Sequence, residues 1–128
     1  MSRLIMRTGI DLLEISRLMN ISPSIRQRFI KRVFTEEEII QCQDSNPSLA
    51  GLFCVKESVS KALGCGIGPI SWQEIEILSD ENGAPRIFLH GHAARLADAI
   101  GLTTWAVSIT HTREMAAASV TAIGFETE

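Results

Sequence analysis

The stretch SLAGLFCVKESVSKALG, residues 48–64, constrains the fold more than any other. Leu52, Val55, Val59, Ala62 and Leu63 recur at helical spacing and make one apolar stripe that has to be covered. Ser48 is the candidate N-cap, and Gly64 stops the helix as glycine does after a last turn. Beside the core stripe runs a second line, Phe53, Glu57 and Lys61, each four residues apart, with Lys56 at the edge of the core face. The run GCGIG, residues 64–68, follows at once.

The later half of the chain offers the cover. EIEIL and RIFLH read as strands joined through the turn SDENGAP, a hairpin with a longer loop. HAARLADAI reads as a helix stopped by Gly101. WAVSITH and MAAASVTAI read as strands joined by TRE, so apolar that they are central or lie at a subunit contact. Upstream, LIMRTGI has strand composition, and DLLE offers Asp11 as an N-cap with Glu14 three residues on, opening a short helix to about Met19. In PSIRQRFIKRVF, helical spacing groups Ile25, Phe29 and Val33 on one side and Arg28, Lys31 and Arg32 on the other. Thr35 and Glu38 make a second capping box, for a helix to about Gln43. Helices concentrated early and antiparallel strands late define an α+β class, an antiparallel sheet packed with helices. At 128 residues the chain is expected to be one domain, 1–128.

Net charge is −3, which gives no general signature of nucleic-acid binding, and no apolar stretch is long enough for a membrane span. The distribution says more than the sum. Between Ile15 and Phe34 stand five cations, Arg17, Arg26, Arg28, Lys31 and Arg32, and no acid. That block fits the solvated face of an amphipathic helix or a docking surface for an anionic partner, and it lacks the aromatics that would stack bases. Cys42, Cys54 and Cys65 match no metal spacing and read as reduced thiols of a cytoplasmic protein.

Taken singly, the polar residues have plain explanations. Glu57 and Lys61 suit an exposed i, i+4 ion pair, and GCGIG suits a C-cap and turn. Those glycines would also let backbone amides approach phosphate oxygens. Asp11, at the end of a strand, and Glu57 would suffice as the two carboxylates of a Mg²⁺ site. His90 and His92 lack further ligands, and His111 follows a strand; alone, each is a bystander.

Three stretches together carry more. GIDLLEISRL at 9–18, FCVKESVSKALGCGIG at 53–68 and VSITHT at 107–112 resemble the signatures of the short bacterial phosphopantetheinyl transferases, the holo-acyl-carrier-protein synthases. ENGAPRIFLHGHA, between them, fits as well, so the resemblance covers nearly the whole chain. It implies transfer of phosphopantetheine from coenzyme A to a serine hydroxyl of an acidic apo acyl carrier protein, with adenosine 3',5'-bisphosphate released. It implies Mg²⁺ on Asp11 and Glu57, and Lys61 against phosphate oxygens as a second catalytic group. Coenzyme contacts are expected from Lys56, Lys61, Gly64 and Gly66, and from Ser108, His111 and Thr112 at the adenosine end. The serine proton would go to Glu57 or to a water on the metal. Arg17 would meet the carrier protein, with Arg26, Arg28 and Lys31 added by extrapolation along the helix. A cytoplasmic homotrimer with shared sites, serving fatty acid biosynthesis, is implied too. No nucleic acid or membrane partner is expected. Ser58 stands where the family commonly has alanine, and Thr110 where serine is frequent. Two other readings use the same residues: a non-catalytic module that holds an acidic protein, and another Mg²⁺-dependent nucleotide enzyme.

Overall fold

The computed structural model describes residues 2–127. Strand β1 (Ser2–Glu14) is followed by the short helix α1 (Ser16–Met19), then α2 (Pro23–Val33), α3 (Glu36–Cys42) and the long α4 (Asn46–Leu63). A 3-10 turn at Trp72–Glu74 leads into β2 (Ile75–Ser79) and β3 (Pro85–Leu89). Helix α5 (Gly91–Ile100) and strands β4 (Leu102–His111) and β5 (Met115–Thr127) complete the order. Strands β1, β5 and β4 make one antiparallel sheet in that order, and β2 pairs with β3 in a separate hairpin. The expected α+β class, the hairpin, the glycine-stopped helices and the late strands are all present.

Helix α4 lies on one face of the sheet because that face is built from small residues. Ala116, Ala118, Val120 and Ala122 of β5 alternate inward and are buried. At Gly9 of β1 the two backbones touch, and a Cβ there would collide with the Ser58 carbonyl. The buried Ser58 hydroxyl donates to Cys54 O within the helix and to Ala118 O of β5 at 3.2 Å, so this departure from alanine ties α4 to the sheet. The opposite sheet face carries Leu4, Met6, Ile10, Leu12, Ile123 and Phe125, all exposed.

Three local expectations are corrected. Asp11 and Glu14 form no capping box: β1 runs on through Glu14, paired with Met115 of β5, because a long-range ladder outweighs local capping chemistry. The cap of α4 is Ser45, whose hydroxyl accepts from Ser48 N; Ser48 already lies in the first turn. On α2 the buried residues are Ile30 and Val33 while Ile25 is exposed, since the helix packs through its C-terminal half, where Phe29 meets Phe53 and Gln73 donates to Lys31 O. The Thr35–Glu38 capping box forms as expected.

Glu76 of β2 pins the hairpin in place. It accepts from Thr35 Oγ1 at 2.7 Å and from His90 Nε2 at 3.0 Å. Burial pushes its pKa up, but the bonds from Thr35 and His90 and the His90 charge outweigh that and hold it below the ordinary glutamate value. A folded-state value below the unfolded one gives stability that is present above the unfolded pKa of about 4.5 and lost as pH falls through the lowered value. Melting temperature recorded from pH 7 down to 3 should therefore drop below about pH 4.5, and drop less steeply in Glu76→Gln.

Candidate active site

The convergent polar residues lie where α4 crosses β1. Lys61 is not paired with Glu57 along its own helix. Its ammonium reaches across to β1, donating to Ile10 O at 2.8 Å and standing 3.3 Å from Asp11 Oδ1. Asp11 is half-buried because odd-numbered residues of β1 face the helix. Glu57, one turn before Lys61, is half-buried too. Burial, then the negative charge of Asp11, raise its pKa, and Lys61 opposes them. The same neighbourhood pushes the buried Cys54 thiol up to about 12, through burial first and Asp11 second. Asp11 and Lys61 thus meet across β1 and α4, and Glu57 lies near enough for both charges to act on it.

That donor set fits a hard divalent cation. Two carboxylates are what Mg²⁺ takes from a protein when substrate phosphates and water fill its other positions. Among the described residues no third His, Cys, Asp or Glu joins Asp11 and Glu57, as a softer metal held by protein alone would need.

Other expected site residues fall elsewhere. Lys56 is not at a coenzyme surface: it is wholly buried and salt-bridged to Glu38 at 2.8 Å. This corrects its assignment, for a side chain closed inside α3, α4 and β2 has no face left for a ligand. Gly64 and Gly66 have the positive φ that glycine allows, and the space beside Gly66 is open. Their amides are not free, however. Gly64 N bonds Lys61 O, and Cys65 N and Gly66 N bond Ser60 O, closing the end of α4. What this loop offers a ligand is bare backbone rather than donors.

Ser108, His111 and Thr112 stand on or beyond β4, which β5 separates from β1. Ser108 is exposed on the sheet face away from α4, His111 Nδ1 lies 3.1 Å from Thr112 O, and Thr112 Oγ1 accepts from Glu114 N and Met115 N. One chain does not bring them to Asp11 and Glu57. In the basic block, Arg17, Arg28, Lys31 and Arg32 are exposed. Arg26 is not available as expected: its guanidinium bonds Asp44 Oδ1 and Asn46 Oδ1, each at 2.7 Å.

The profile of the 4'-phosphopantetheinyl transferase superfamily matches residues 7–117. The chain belongs to this family. It is 40% identical over 124 residues to the holo-(acyl-carrier-protein) synthase of Herpetosiphon aurantiacus, covering 91% of this chain and 98% of that one. Against the holo-(acyl-carrier-protein) synthase of Moorella thermoacetica the identity is 43% over 116 residues, covering 88% and 90%. The crystal structure of the Helicobacter pylori holo-(acyl-carrier-protein) synthase in complex with coenzyme A is similar with a TM-score of 0.82 at 32% identity, over 90% of this chain and 98% of that one. The transferase family and its fold are thus as the sequence stretches implied.

Two features of the site were missed in the sequence. Glu38 was legible as a capping residue but not as the partner of Lys56. Cys54, whose thiol feels the Asp11 charge, carries no signal of that in its spacing.

Proposed function

We propose that the chain moves phosphopantetheine from coenzyme A to a serine hydroxyl of an apo acyl carrier protein, with Mg²⁺, and releases adenosine 3',5'-bisphosphate. The observation that carries this reading is the meeting of Asp11, Glu57 and Lys61 in a chain of this family. Asp11 and Glu57 would hold the ion, which when bound supplies Lewis-acid neutralisation at the pyrophosphate. Glu57 accepts the serine proton as the serine oxygen forms its bond to phosphorus. The phosphorus–oxygen bond to the adenosine bisphosphate breaks, and the Lys61 ammonium offsets the charge that builds on the departing phosphate. Gly64 and Gly66 let the coenzyme lie against backbone without side-chain interference.

Ser108, His111 and Thr112 hold the adenosine end, and they do so for a neighbouring subunit. Their distance from Asp11 within one chain, and the exposed apolar stripe of β1 and β5, support a homotrimer with shared sites. We read residues 1–128 as a single transferase domain, since one buried cluster draws on α1 to α5 and β2, β4 and β5. A cytoplasmic place in fatty acid biosynthesis belongs to the same reading; none of the helices described is long and apolar enough to cross a membrane.

The exposed cations Arg17, Arg28 and Lys31 receive the acidic carrier, with Arg26 holding the start of α4 from behind. Arg17→Glu should raise the KM for an apo acyl carrier protein by about tenfold or more while leaving coenzyme A affinity unchanged. Equal loss of both would contradict separate docking and reaction surfaces. Absence of transfer by the unmutated chain would contradict the function itself.

A further inference from the structure

We infer that the buried Glu38–Lys56 ion pair is a positioning device for the reaction: it fixes the roll and depth of α4 and so aims the Glu57 carboxylate at Asp11 and Lys61. The inference rests on the transferase reading of that site. Both side chains are fully buried, and every polar atom of the pair is used. Lys56 Nζ donates to Glu38 Oε1, to Trp72 O at 3.0 Å and to Ile75 O. Glu38 Oε1 also accepts from Thr35 N at 2.9 Å, and Oε2 accepts from Ile77 N at 2.8 Å. The ammonium sits 5.7 Å from the centre of the Phe34 ring. One residue of α4 is thereby bonded to α3, to the 3-10 turn and to β2.

Stability alone is a poor reason for such a pair. Taking two charges out of water is costly, and an apolar pair of similar volume is often as stable or more so. What apolar contacts lack is direction. Phe53, Val55 and Val59 pack without a preferred direction, whereas bonds to three fixed carbonyl and carboxylate oxygens set one.

Glu57 lies between two such anchors. Lys56 is held on the hairpin side, and Ser58 is held on the sheet side through Ala118 O. Consecutive residues point about 100° apart on a helix, so any roll that frees Lys56 swings Glu57 through the same angle. At a side-chain radius of about 6 Å, a roll of about 10° moves the carboxylate by about 1 Å. A displacement of that size can lower a rate by about a hundredfold.

The test is the double variant Glu38→Leu with Lys56→Met, compared with Lys56→Met alone and the unmutated protein. The readouts are melting temperature, coenzyme A affinity, and kcat and KM for an apo acyl carrier protein. Lys56→Met alone should melt lower, because Glu38 stays buried without its cation. The double variant should regain melting temperature and keep the KM for the carrier, while kcat remains at least about tenfold down. Recovery of kcat together with melting temperature would overturn the inference and leave the pair a fold element. If the double variant does not fold, Glu38→Gln carries the test. Its kcat per folded molecule should fall at unchanged KM, and an unchanged kcat would overturn the inference. An unmutated protein that transfers nothing would overturn the transferase reading, and this inference with it.

Discussion

Glu57→Gln should lower phosphopantetheine transfer by about a thousandfold and leave the fold intact. The amide matches the carboxylate in volume, so packing against α4 and β1 is kept. What is lost, on the proposed mechanism, is the charge that would accept the serine proton and complete the carboxylate pair with Asp11. Because burial and Asp11 both disfavour the ionised form of Glu57 in the folded chain, its neutralisation should not lower the melting temperature. A matched substitution, Glu36→Gln in the exposed first turn of α3, should change transfer little. The comparison is made by transfer kinetics and thermal melts on the same preparations. Equal transfer by Glu57→Gln and Glu36→Gln would remove Glu57 from the reaction.

Gly9→Ala should be among the most damaging single changes to the fold. Glycine is required there for closeness rather than for an unusual φ: the added methyl would meet the carbonyl carbon and oxygen of Ser58 in the middle of α4. Both neighbours are backbone in regular elements, so neither can turn aside as a side chain would. Helix and strand must separate, which weakens the Ser58–Ala118 bond and draws Asp11, two residues along, away from Glu57 and Lys61. A loss of about 3 kcal/mol and a melting temperature lower by roughly 10 °C are expected. Transfer by the folded fraction should fall as well. A variant that melts like the unmutated protein would show that α4 and β1 have more room than this geometry allows.

Much of this architecture could be read along the chain, and the failures have a common cause. The α4 stripe, the stop at Gly64, the Thr35–Glu38 box and the late strands each depend on residues close in sequence, where spacing carries the information. DLLE reads as a capped helix because Asp11 and Glu14 satisfy the local rule; pairing of β1 with β5, more than a hundred residues on, decides otherwise. Ser48 as the cap puts the start of α4 three residues late, although Pro47, in its first turn, points to a cap ahead of it. Arg26 and Lys56 show the same limit for charges. Arg26 is expected to face a carrier and Lys56 a coenzyme, yet each is paired with a carboxylate eighteen residues away, Asp44 downstream and Glu38 upstream, that no spacing rule names. For the site, the resemblance supplied what spacing lacked. Asp11 and Glu57 lie on different elements, and only the close approach of β1 to α4 at Gly9 explains why they meet.

The most direct test of the account is the intact mass of an apo acyl carrier protein after incubation with this protein, coenzyme A and Mg²⁺. The carrier should gain one phosphopantetheine, and EDTA or Glu57→Gln should abolish the gain. A carrier whose mass stays unchanged, with the protein folded and coenzyme A bound, would contradict it.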